Sequence, residues 1–448
     1  MSSSRAKRKP VTADAIIESL NYDGRGVTHV GNNIVFVDGA LPGEAVTIEY
    51  RKKRRKIYEG QVLSIQQQAP DRIQPRCPYF GVCGGCSLQH MSATAQIDAK
   101  LNVLKENLQH IGKLSPEHYL PALTDQEWGY RRKARLGLRY VPKKGGLLLG
   151  FRERRSSYVT NLDACLNLDE RISSLLTPLR ECIASLSVPE QIPQIEVAGG
   201  EHGLVFVIRH LQTLADTDLH SLRLFSQDHD VQIFLQDGGL ESIYCLAPDH
   251  PEPLSFSLPD YGLTYHFLPT DFTQVNFGIN RKMVARAVGL LELDQKDAVL
   301  ELFCGLGNFT LPMALQASKV LGIEGNDGLV DRARKNAERN NITNAEFRSA
   351  DLYGHPDAGL WRGFEFNKVL LDPPRSGAQE VLPLIMQQKP ERIVYVSCNP
   401  ATLARDSAYL VHEQGYTLYS AGVMDMFPHT SHVESIALFL RGEHGGGN

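Results

Sequence analysis

The sequence lacks any apolar run that approaches the roughly 20 residues needed to span a bilayer. It also lacks the pattern of a secretory signal, because the basic start at residues 1–10 leads into no apolar stretch. With 42% hydrophobic and 22% charged residues, the composition is typical of a soluble globular protein. We therefore expect no membrane anchor and a cytoplasmic location.

A strong net charge is also missing, but the value of −4 hides a segregation of basic residues. Residues 51–56 are all Lys or Arg, and residues 131–155 contain ten Lys or Arg against one Glu. Aromatic residues are interleaved with both runs. A single charge run is usually a solvated face, but two such runs with aromatics favour a surface that follows phosphates and stacks on bases. The pattern predicts a nucleic-acid partner.

A chain of 448 residues is too long for one ordinary core, and we predict three domains. Short alternating stretches separated by Gly and Pro turns predict a small all-β barrel over residues 1–68. Within it, Val-Phe-Val-Asp-Gly-Ala-Leu-Pro-Gly-Glu at residues 35–44 resembles the TRAM domain, an OB-like barrel found on RNA-modifying enzymes. Residues 69–265 predict a mixed α and β central domain, with strand-like pieces at 136–140, 203–208 and 231–235.

Residues 266–448 show apolar strands alternating with helical stretches, which predicts a doubly wound α/β sheet of the Rossmann-like type. An amphipathic helix is expected at residues 327–340, with Asp327 as its cap. Near the end, two strands with no helix between them predict an antiparallel closing hairpin. The predicted strands are 298–303, 320–324, 368–371, 392–396, 416–421 and 433–440.

The first strand of this section leads into a Gly-x-Gly turn at residues 305–307, where a backbone approaches a ligand closely. Glu324 ends the second strand, where such sheets hold a cofactor ribose; the alternative is a solvated strand end. Asp351 is either a pocket residue or a helix cap. NAD and S-adenosylmethionine (SAM) enzymes share the Gly-x-Gly turn and the acidic residue at the end of the second strand. The sequence Asp-Pro-Pro-Arg at residues 372–375 resembles methyltransferase motifs and favours SAM.

Cys398 follows the predicted strand 392–396 and precedes a predicted helix. Helix amides favour the thiolate, so this position suits a nucleophile, although buried cysteines are often only small fillers. C5 of a pyrimidine accepts a methyl group only after a thiolate has added to C6, and a base must then remove the C5 proton. Glu434 is the candidate base; the alternative is an exposed strand glutamate.

Five ordered motifs at residues 272–276, 302–309, 372–375, 397–400 and 432–435 together resemble the RNA uracil-C5 methyltransferases. The resemblance implies Cys398 as nucleophile and Glu434 as general base. Pro374 stands where Ala is common in this family, and this difference leaves the assignment of Asp372 intact. The resemblance also implies a monomer that acts on RNA and not on DNA. It further implies a SAM and uracil pocket lined by Gln274, Phe303, Asn308, Glu324, Asp351 and Asp372.

Three cysteines are spaced Cys-x5-Cys-x2-Cys among glycines, and Cys165 is a possible fourth ligand. In a cytoplasmic protein such thiols favour a metal over disulfides. Zinc usually shows two close pairs, so three close thiols and one remote favour a [4Fe-4S] cluster. Within the resembling family this pattern marks the branch that acts on 23S rRNA, where the cluster serves RNA binding or structural support. The three clustered cysteines are Cys77, Cys83 and Cys86.

Several other functions were compared with this pattern. Another rRNA uracil or a tRNA uracil is the nearest alternative target. A radical-SAM methylthiotransferase would show Cys-x3-Cys-x2-Cys, and an RNA cytosine-C5 methyltransferase would carry a second cysteine in the motif at residues 372–375. An adenine-N6 enzyme would place an aromatic residue at Arg375. A non-enzymatic RNA-binding protein would lose nothing on Cys398→Ala.

Overall fold

The structure is a computed structural model that describes residues 11–54, 57–248, 251–354 and 356–442, without the side chains of residues 52–54 and 358. Residues 1–10 and the side chains of residues 52–56 in the basic run therefore lie outside the described part. The chain divides into two compact units. Residues up to Val103 form the first together with Phe427–His432, and the remaining residues form the second.

The first unit is built on a six-stranded sheet with the order β1-β5-β6-β4-β3-β2. All neighbours pair antiparallel except β4 and β6, which run parallel. This confirms the all-β prediction for the start of the chain. The strands are β1 (Thr12–Ile16), β2 (Ser19–Leu20), β3 (Gly26–Val30), β4 (Asn33–Asp38), β5 (Ala45–Arg54) and β6 (Ile57–Gln67).

Alternating strand residues form the core of this sheet, as a pleat with one buried face requires. Val35, Val37, Val46 and Ile48 are at most 1% exposed. Gly60 of β6 lies against this core, where an added Cβ would stand 2.5 Å from the Cγ2 atom of Ile48. The close approach of β5 and β6 therefore requires glycine at this position.

A buried ion pair ties the segment after β6 to this sheet. The carboxylate of Glu44 is fully buried and accepts hydrogen bonds from the Leu41 amide (2.8 Å) and the Arg72 guanidinium (Nη2, 2.7 Å). Helix α1 (Ala93–Asn107) follows. Its residue Lys100 donates to the carbonyl of Phe427 at 3.0 Å, so the segment 427–432 packs on this part of the chain.

The second unit contains two larger sheets and a two-stranded pair, and it also holds helices α2 to α9. Its strands are β7 (His118–Tyr119), β8 (Lys133–Val141), β9 (Gly146–Gly150), β10 (Gln194–Gly199), β11 (Leu204–Arg209), β12 (Gln232–Gln236), β13 (Tyr244–Ala247), β14 (Leu254–Leu258), β15 (Leu263–Phe267), β16 (Ala298–Leu302), β17 (Lys319–Glu324), β18 (Ala345–Ser349), β19 (Lys368–Leu371), β20 (Arg392–Ser397), β21 (Tyr416–Met424) and β22 (Glu434–Arg441).

Helices cover the faces of these sheets. They are α2 (Glu170–Ser173), α3 (Leu176–Ala184), α4 (Asp216–His229), α5 (Phe277–Leu291), α6 (Thr310–Ala314), α7 (Asp327–Arg339), α8 (Leu382–Ile385) and α9 (Pro400–Ala408). The predicted cap of α7 was wrong: Asn326, and not Asp327, is the N-cap, because its side chain accepts the Leu329 amide at 3.0 Å. Asp327 is the first helical residue, where a carboxylate also interacts favourably with the helix dipole.

The central sheet has the order β13-β12-β11-β10-β8-β9. β11 and β12 are parallel, and the other neighbours are antiparallel. With α3 and α4 this part is mixed α and β, as predicted. The predicted strand pieces correspond to β8, β11 and β12.

The third sheet has the order β18-β17-β16-β19-β20-β22-β21-β7. Strands β16 to β20 are mutually parallel. β22 runs antiparallel to β20, and β21 runs antiparallel to β22, so these two strands form a hairpin that closes the sheet. This confirms the doubly wound sheet and its closing hairpin. The edge strand β7 was not predicted. It has only two residues, and it pairs with β21 through Ser420 and Ala421, which lie some 300 positions later in the sequence.

No helix among the described residues is both long enough and apolar enough to cross a membrane.

Candidate active site

Five parallel strands end at one edge of the third sheet, which is where ligands bind in open α/β sheets. The first of them, β16, leads into a loop in which three residues have a left-handed backbone. These are Phe303 (φ 66°), Gly305 (φ 54°) and Gly307 (φ 89°). Phe303 is not a glycine, and such a conformation in a bulky residue is a strained feature that clusters at functional sites. The predicted tight turn is therefore present.

Glu324 ends β17 next to this loop. One carboxylate oxygen accepts the Gly305 amide at 3.1 Å and the other accepts the Asn326 amide at 3.1 Å. Glu324 is half-buried, so it is not the solvated strand end that the sequence left open. Its carboxylate holds the loop against the carboxyl end of the second strand.

Asp351 follows β18 and is exposed. Its carboxylate accepts the amide of Tyr353 at 2.8 Å. No helix begins here in the structure, so the helix-cap alternative is wrong and the residue instead orders a turn at the sheet edge.

Asp372 follows β19 at the same edge and is half-buried. Burial raises the pKa of Asp372 to about 7, because the charged carboxylate is poorly solvated there. The side chain is thus divided between its neutral and charged forms near neutral pH. A carboxyl group in this state can donate a hydrogen bond as well as accept one.

Cys398 lies between β20 and α9, as predicted. The side chain of Asn399 caps α9 by accepting the Ala401 amide at 3.1 Å, and its Nδ2 donates to the carbonyl of Arg375 at 2.9 Å. The turn that carries Cys398 is thereby fastened to the turn after β19.

The predicted thiolate at Cys398 is wrong for the protein without substrate. Burial, together with the negative charges of Glu434 and Asp372, raises the pKa of Cys398 to about 11, although Arg375 opposes this rise. These effects outweigh the helix N-terminus, because the thiol is half-buried and two carboxyl groups face it. Cys398 is therefore a neutral thiol at pH 7.

Strand pairing brings Glu434 to Cys398. The antiparallel ladder between β20 and β22 ends on the pair Ser397 and Ser435. One residue further along each chain are Cys398 and Glu434, and directly opposite positions in such a ladder have Cβ atoms about 5 Å apart. The effect of the Glu434 charge on the thiol is consistent with this proximity. A thiol and a carboxylate that are 36 positions apart in sequence thus lie side by side.

Gln274 and Asn308 flank the same edge. Gln274 is half-buried and lies just before α5, whose N-cap is Asn276. Asn308 forms a reciprocal amide pair with Asn280 of α5: each Nδ2 donates to the other Oδ1, at 3.0 Å and 2.9 Å. This pair fastens the end of the loop to α5.

Tyr353 and Asn280 were missed by the sequence reasoning. The ring of Tyr353 lies 5.5 Å from that of Phe303, and its hydroxyl is 3.5 Å from the carbonyl of Gly377. Burial raises the pKa of Tyr353. The available signal was its position two residues after Asp351, on a turn already expected at the sheet edge. Asn280 gave no signal, because its role depends on a contact between a helix and a distant loop.

Two family models match the sequence. The model described as tRNA (Uracil-5-)-methyltransferase matches residues 93–352 and 357–442, and the TRAM domain model matches residues 11–63. The chain belongs to the tRNA (uracil-5-)-methyltransferase family. The family match covers all five motifs that carry the resemblance, and the TRAM match confirms the prediction for the first sheet.

Members of this family with similar sequences span nearly the whole chain. The chain is 48% identical over 432 residues to the 23S rRNA (uracil(1939)-C(5))-methyltransferase RlmD of Nitrosospira multiformis, with 96% of this chain and 98% of the relative covered. It is 51% identical over 439 residues to the protein of the same name from Nitrosococcus oceani, with 97% and 98% covered.

A solved structure shows the same fold. The tRNA (uracil-54, C5)-methyltransferase of Pyrococcus abyssi, in complex with S-adenosyl-L-homocysteine, superposes with a TM-score of 0.72. It covers 96% of this chain and all of its own, at 22% sequence identity.

The four cysteines of the predicted iron–sulfur site are all half-buried. In the first unit, the Cys77 amide donates to the side chain of Gln89 at 3.2 Å, and the Gly85 amide lies 3.4 Å from Cys83 Sγ. Cys165 belongs to the second unit. Among the residues that the structure describes, no group of three or more His, Cys, Asp or Glu is arranged to hold a metal ion. The structure therefore does not show the cluster.

Proposed function

We propose that this protein transfers a methyl group from SAM to C5 of uracil 1939 in 23S rRNA, the target named for its RlmD relatives. The observation that carries the mechanism is the register of β20 and β22, which sets Cys398 opposite Glu434 at the ligand-binding edge. Both groups lie at the same edge of the sheet as the loop that follows β16, with β19 between β16 and β20. A nucleophile and a base within reach of one base atom are what this reaction requires.

The covalent step begins when Sγ of Cys398 forms a bond to C6 of the uracil. The thiol proton passes to a water molecule, and the electron pair of the C5–C6 double bond moves toward C5 and O4. Because the pKa of Cys398 is about 11 in the protein without substrate, the resting group is the thiol, and its proton must be removed for this addition. Asp372, in its neutral form, can donate a hydrogen bond to a uracil carbonyl oxygen as charge develops there.

The remaining steps restore the base and the enzyme. C5 takes the methyl group as the bond between that group and the SAM sulfur breaks, which leaves S-adenosyl-L-homocysteine. Glu434 then accepts the proton from C5, the C5–C6 double bond re-forms, and Cys398 leaves as the sulfur–carbon bond breaks. The target uracil must leave its stack to reach this edge, so base flipping or local unfolding of the RNA accompanies binding.

The loop residues fit a SAM molecule. The space beside Gly305 is open, since an added Cβ would meet no atom within 4 Å, and the Glu324 carboxylate lies where a ribose diol is held in such sheets. SAM supplies an electrophilic methyl group. The residues proposed to line its pocket and that of the uracil are Gln274, Phe303, Asn308, Glu324, Asp351 and Asp372.

The covalent mechanism is tested with 23S rRNA transcripts that contain 5-fluorouracil. The fluorine cannot be removed as a proton, so wild-type protein with SAM should form a stable adduct at Cys398, visible as a shifted band and by mass spectrometry. Cys398→Ser should form none. An equal adduct in Cys398→Ser, or no adduct with wild type, would refute the assignment.

The base is tested separately with Glu434→Gln and ordinary uracil. This variant should transfer the methyl group but release RNA slowly, so that a covalent complex accumulates. Normal turnover in Glu434→Gln would place the base elsewhere. The target itself is tested by mapping methylated uridines in rRNA and tRNA with and without the gene, since methylation at another uracil would change the assigned substrate.

The cysteines support a second part of the proposal, a [4Fe-4S] cluster held by Cys77, Cys83, Cys86 and Cys165. Its support is the spacing of three thiols among glycines and the amide that points to Cys83 Sγ, a contact typical of sulfur ligands in such clusters. No step of the reaction involves it. Iron and sulfide analysis of anaerobically purified protein tests it, and zinc without iron would refute it.

A division of labour completes the proposal. Residues 1–68 bind RNA as a TRAM barrel, residues 69–265 carry the cluster, and residues 266–448 perform the methyl transfer. The protein acts as a cytoplasmic monomer on RNA, without DNA or membrane partners. Size-exclusion chromatography with light scattering tests the oligomeric state.

A further inference from the structure

The hairpin of β8 and β9, with the turn that follows it, carries a dense set of exposed cations. We call this set the basic hairpin. Six cationic side chains at the tip, along β8 and in the following turn are exposed. Beside them, Tyr140 and Tyr158 are 44% and 69% exposed. The cations of the basic hairpin are Arg135, Arg139, Lys143, Lys144, Arg152 and Arg155.

The burial pattern explains why these residues point outward. Ala134, Leu136 and Leu138 alternate with them along β8 and are buried on the inner face of the central sheet. Arg135 and Arg139 therefore occupy the opposite face, as the two-residue period of a strand requires.

The start of this strand is fixed next to the candidate active site. The Arg132 amide donates to the carbonyl of Val275 at 3.1 Å, and Lys133 Nζ donates to the carbonyl of Asp271. Both acceptors lie in the segment around Gln274. From Lys133 to Val141 the strand advances about 26 Å at roughly 3.3 Å per residue. The tip of the hairpin thus lies about 26 Å along the strand from the residues that bond to this segment.

The hairpin is held in one geometry. Its register is continuous from the pair Gly137 and Gly150 to the pair Val141 and Gly146. The turn after β9 is closed by hydrogen bonds of 2.9 Å from the Glu153 amide to the Tyr158 carbonyl and from the Thr160 amide to the Phe151 carbonyl. Cations on such a platform lose less conformational freedom on binding than cations on a mobile loop.

The sequence of this stretch is strongly basic. Within residues 131–155 the sequence has ten Lys or Arg and one acid, Glu153, which is half-buried. Arg135 makes an ion pair of 2.8 Å with Glu196 of β10, and 69% of the Arg135 side chain is still exposed. A rigid cationic surface with two exposed tyrosines suits a polyanion that also offers planar rings.

We propose that the basic hairpin binds the RNA that flanks the target, with its cations on phosphates and its tyrosines against unpaired bases. The proposal rests on the proposed function, because it takes the RNA substrate as given. It adds a contact at the tip of the hairpin, about 26 Å along β8 from the residues that bond to the segment around Gln274. The basic hairpin selects the substrate through the RNA that surrounds the target uracil, and it takes no part in the methyl transfer.

The test compares Lys143→Glu/Lys144→Glu with a control of equal charge change, Lys296→Glu/Lys335→Glu, whose lysines are exposed elsewhere in the second unit. Binding of a long 23S rRNA fragment is measured over a range of salt concentrations. The hairpin variant should bind about tenfold more weakly at 0.1 M salt, with a log–log salt slope shallower by about 1.5, as two lost phosphate contacts require. SAM affinity and thermal stability should equal those of the control.

Shortening the RNA provides the second arm. A transcript with only a few nucleotides on each side of the target uracil should bind wild type and hairpin variant alike. Equal binding of the long fragment by hairpin variant and control would overturn the inference, as would a persisting difference on the short RNA. A defect seen only on ribosomal particles, with naked rRNA bound normally, would indicate a protein partner and also overturn it. Absence of methylation by the wild-type protein would instead refute the proposed function. The binding comparison between the hairpin variant and the control could still be interpreted.

Discussion

At the level of single residues, the proposed chemistry depends on ionisable side chains that lie close together in a half-buried site. Cys398 is neutral because burial and two carboxyl groups oppose its ionisation. In the proposed reaction one of these carboxyl groups accepts the proton from C5 and the other contacts the uracil. A poorly ionised thiol in the resting protein also limits alkylation and oxidation, because the thiolate is the reactive form.

Replacing Glu434 should therefore activate Cys398 toward alkylation while it blocks product release. Glu434→Gln removes a neighbouring negative charge, so the pKa of Cys398 should fall below about 11. The measurement is the pH dependence of iodoacetamide labelling at Cys398, followed by mass spectrometry. Glu391→Gln, an exposed glutamate of the same unit, is the control and should leave the profile unchanged. An unchanged profile in Glu434→Gln would contradict the inferred proximity of the two side chains.

Asp372 gives a prediction for stability against pH. Its pKa is about 7 in the folded protein, above the ordinary value of 3.8 for an unfolded chain. The folded state therefore binds the proton more tightly, and Asp372 makes the protein less stable as the pH rises from about 4 to 7. Asp372→Asn does not lose this stability as the pH rises. The melting temperature of the variant minus that of the wild-type protein should therefore be larger at pH 8 than at pH 5. An equal difference at both pH values would show that the pKa of Asp372 is not raised.

At the level of elements, the contact between α5 and the loop after β16 positions the cofactor site. The amide pair of Asn280 and Asn308 has two hydrogen bonds, and Asn280 is only 2% exposed. A loop that contains a left-handed Phe303 needs such an external restraint to keep its shape.

Asn280→Leu should therefore weaken SAM binding without touching SAM. Loss of two hydrogen bonds at about 1 kcal/mol each predicts roughly a tenfold to thirtyfold rise in the dissociation constant, measured by calorimetry in the absence of RNA. RNA affinity should stay the same. Gly289→Ala, at a position of α5 where an added Cβ meets nothing within 4 Å, is the control for a change in this helix. If both variants bind SAM like wild type, the amide pair has no positioning role.

At the level of the whole molecule, two sets of cysteines should prove independent. Cys83→Ser should lose iron and retain the adduct with 5-fluorouracil RNA in whatever fraction remains folded, because no proposed step involves the cluster. Cys398→Ser should retain iron and lose the adduct. Cys182→Ser is the matched control; burial raises the pKa of this half-buried thiol to about 11, and it has no assigned role. Loss of iron in Cys398→Ser, or normal iron in Cys83→Ser, would contradict this separation.

The whole chain also shows how far sequence reasoning extends. The strands β16, β17, β19 and β20 were predicted to within a residue or two, because parallel strands buried on both faces are continuous apolar runs. The short edge strand β7 could not be predicted, since two residues form no periodic pattern and their partner is distant in sequence. The cap of α7 was misplaced by one residue, because Asn326 and Asp327 are both good N-caps and only backbone geometry distinguishes them.

The sequence by itself determined the proposed chemistry. A cysteine, a glutamate and an Asp-Pro-Pro-Arg turn follow apolar strands in a fixed order, and the reaction depends on these residue types and on this order. Only the tertiary structure decided how these groups interact. The strand register sets Glu434 opposite Cys398, and the amide pair with Asn280 fixes Asn308. Burial among carboxyl groups makes the nucleophile a neutral thiol where the sequence predicted a thiolate. A pKa depends on every charge and every solvent-excluding atom nearby, and these come from segments that are distant in the chain.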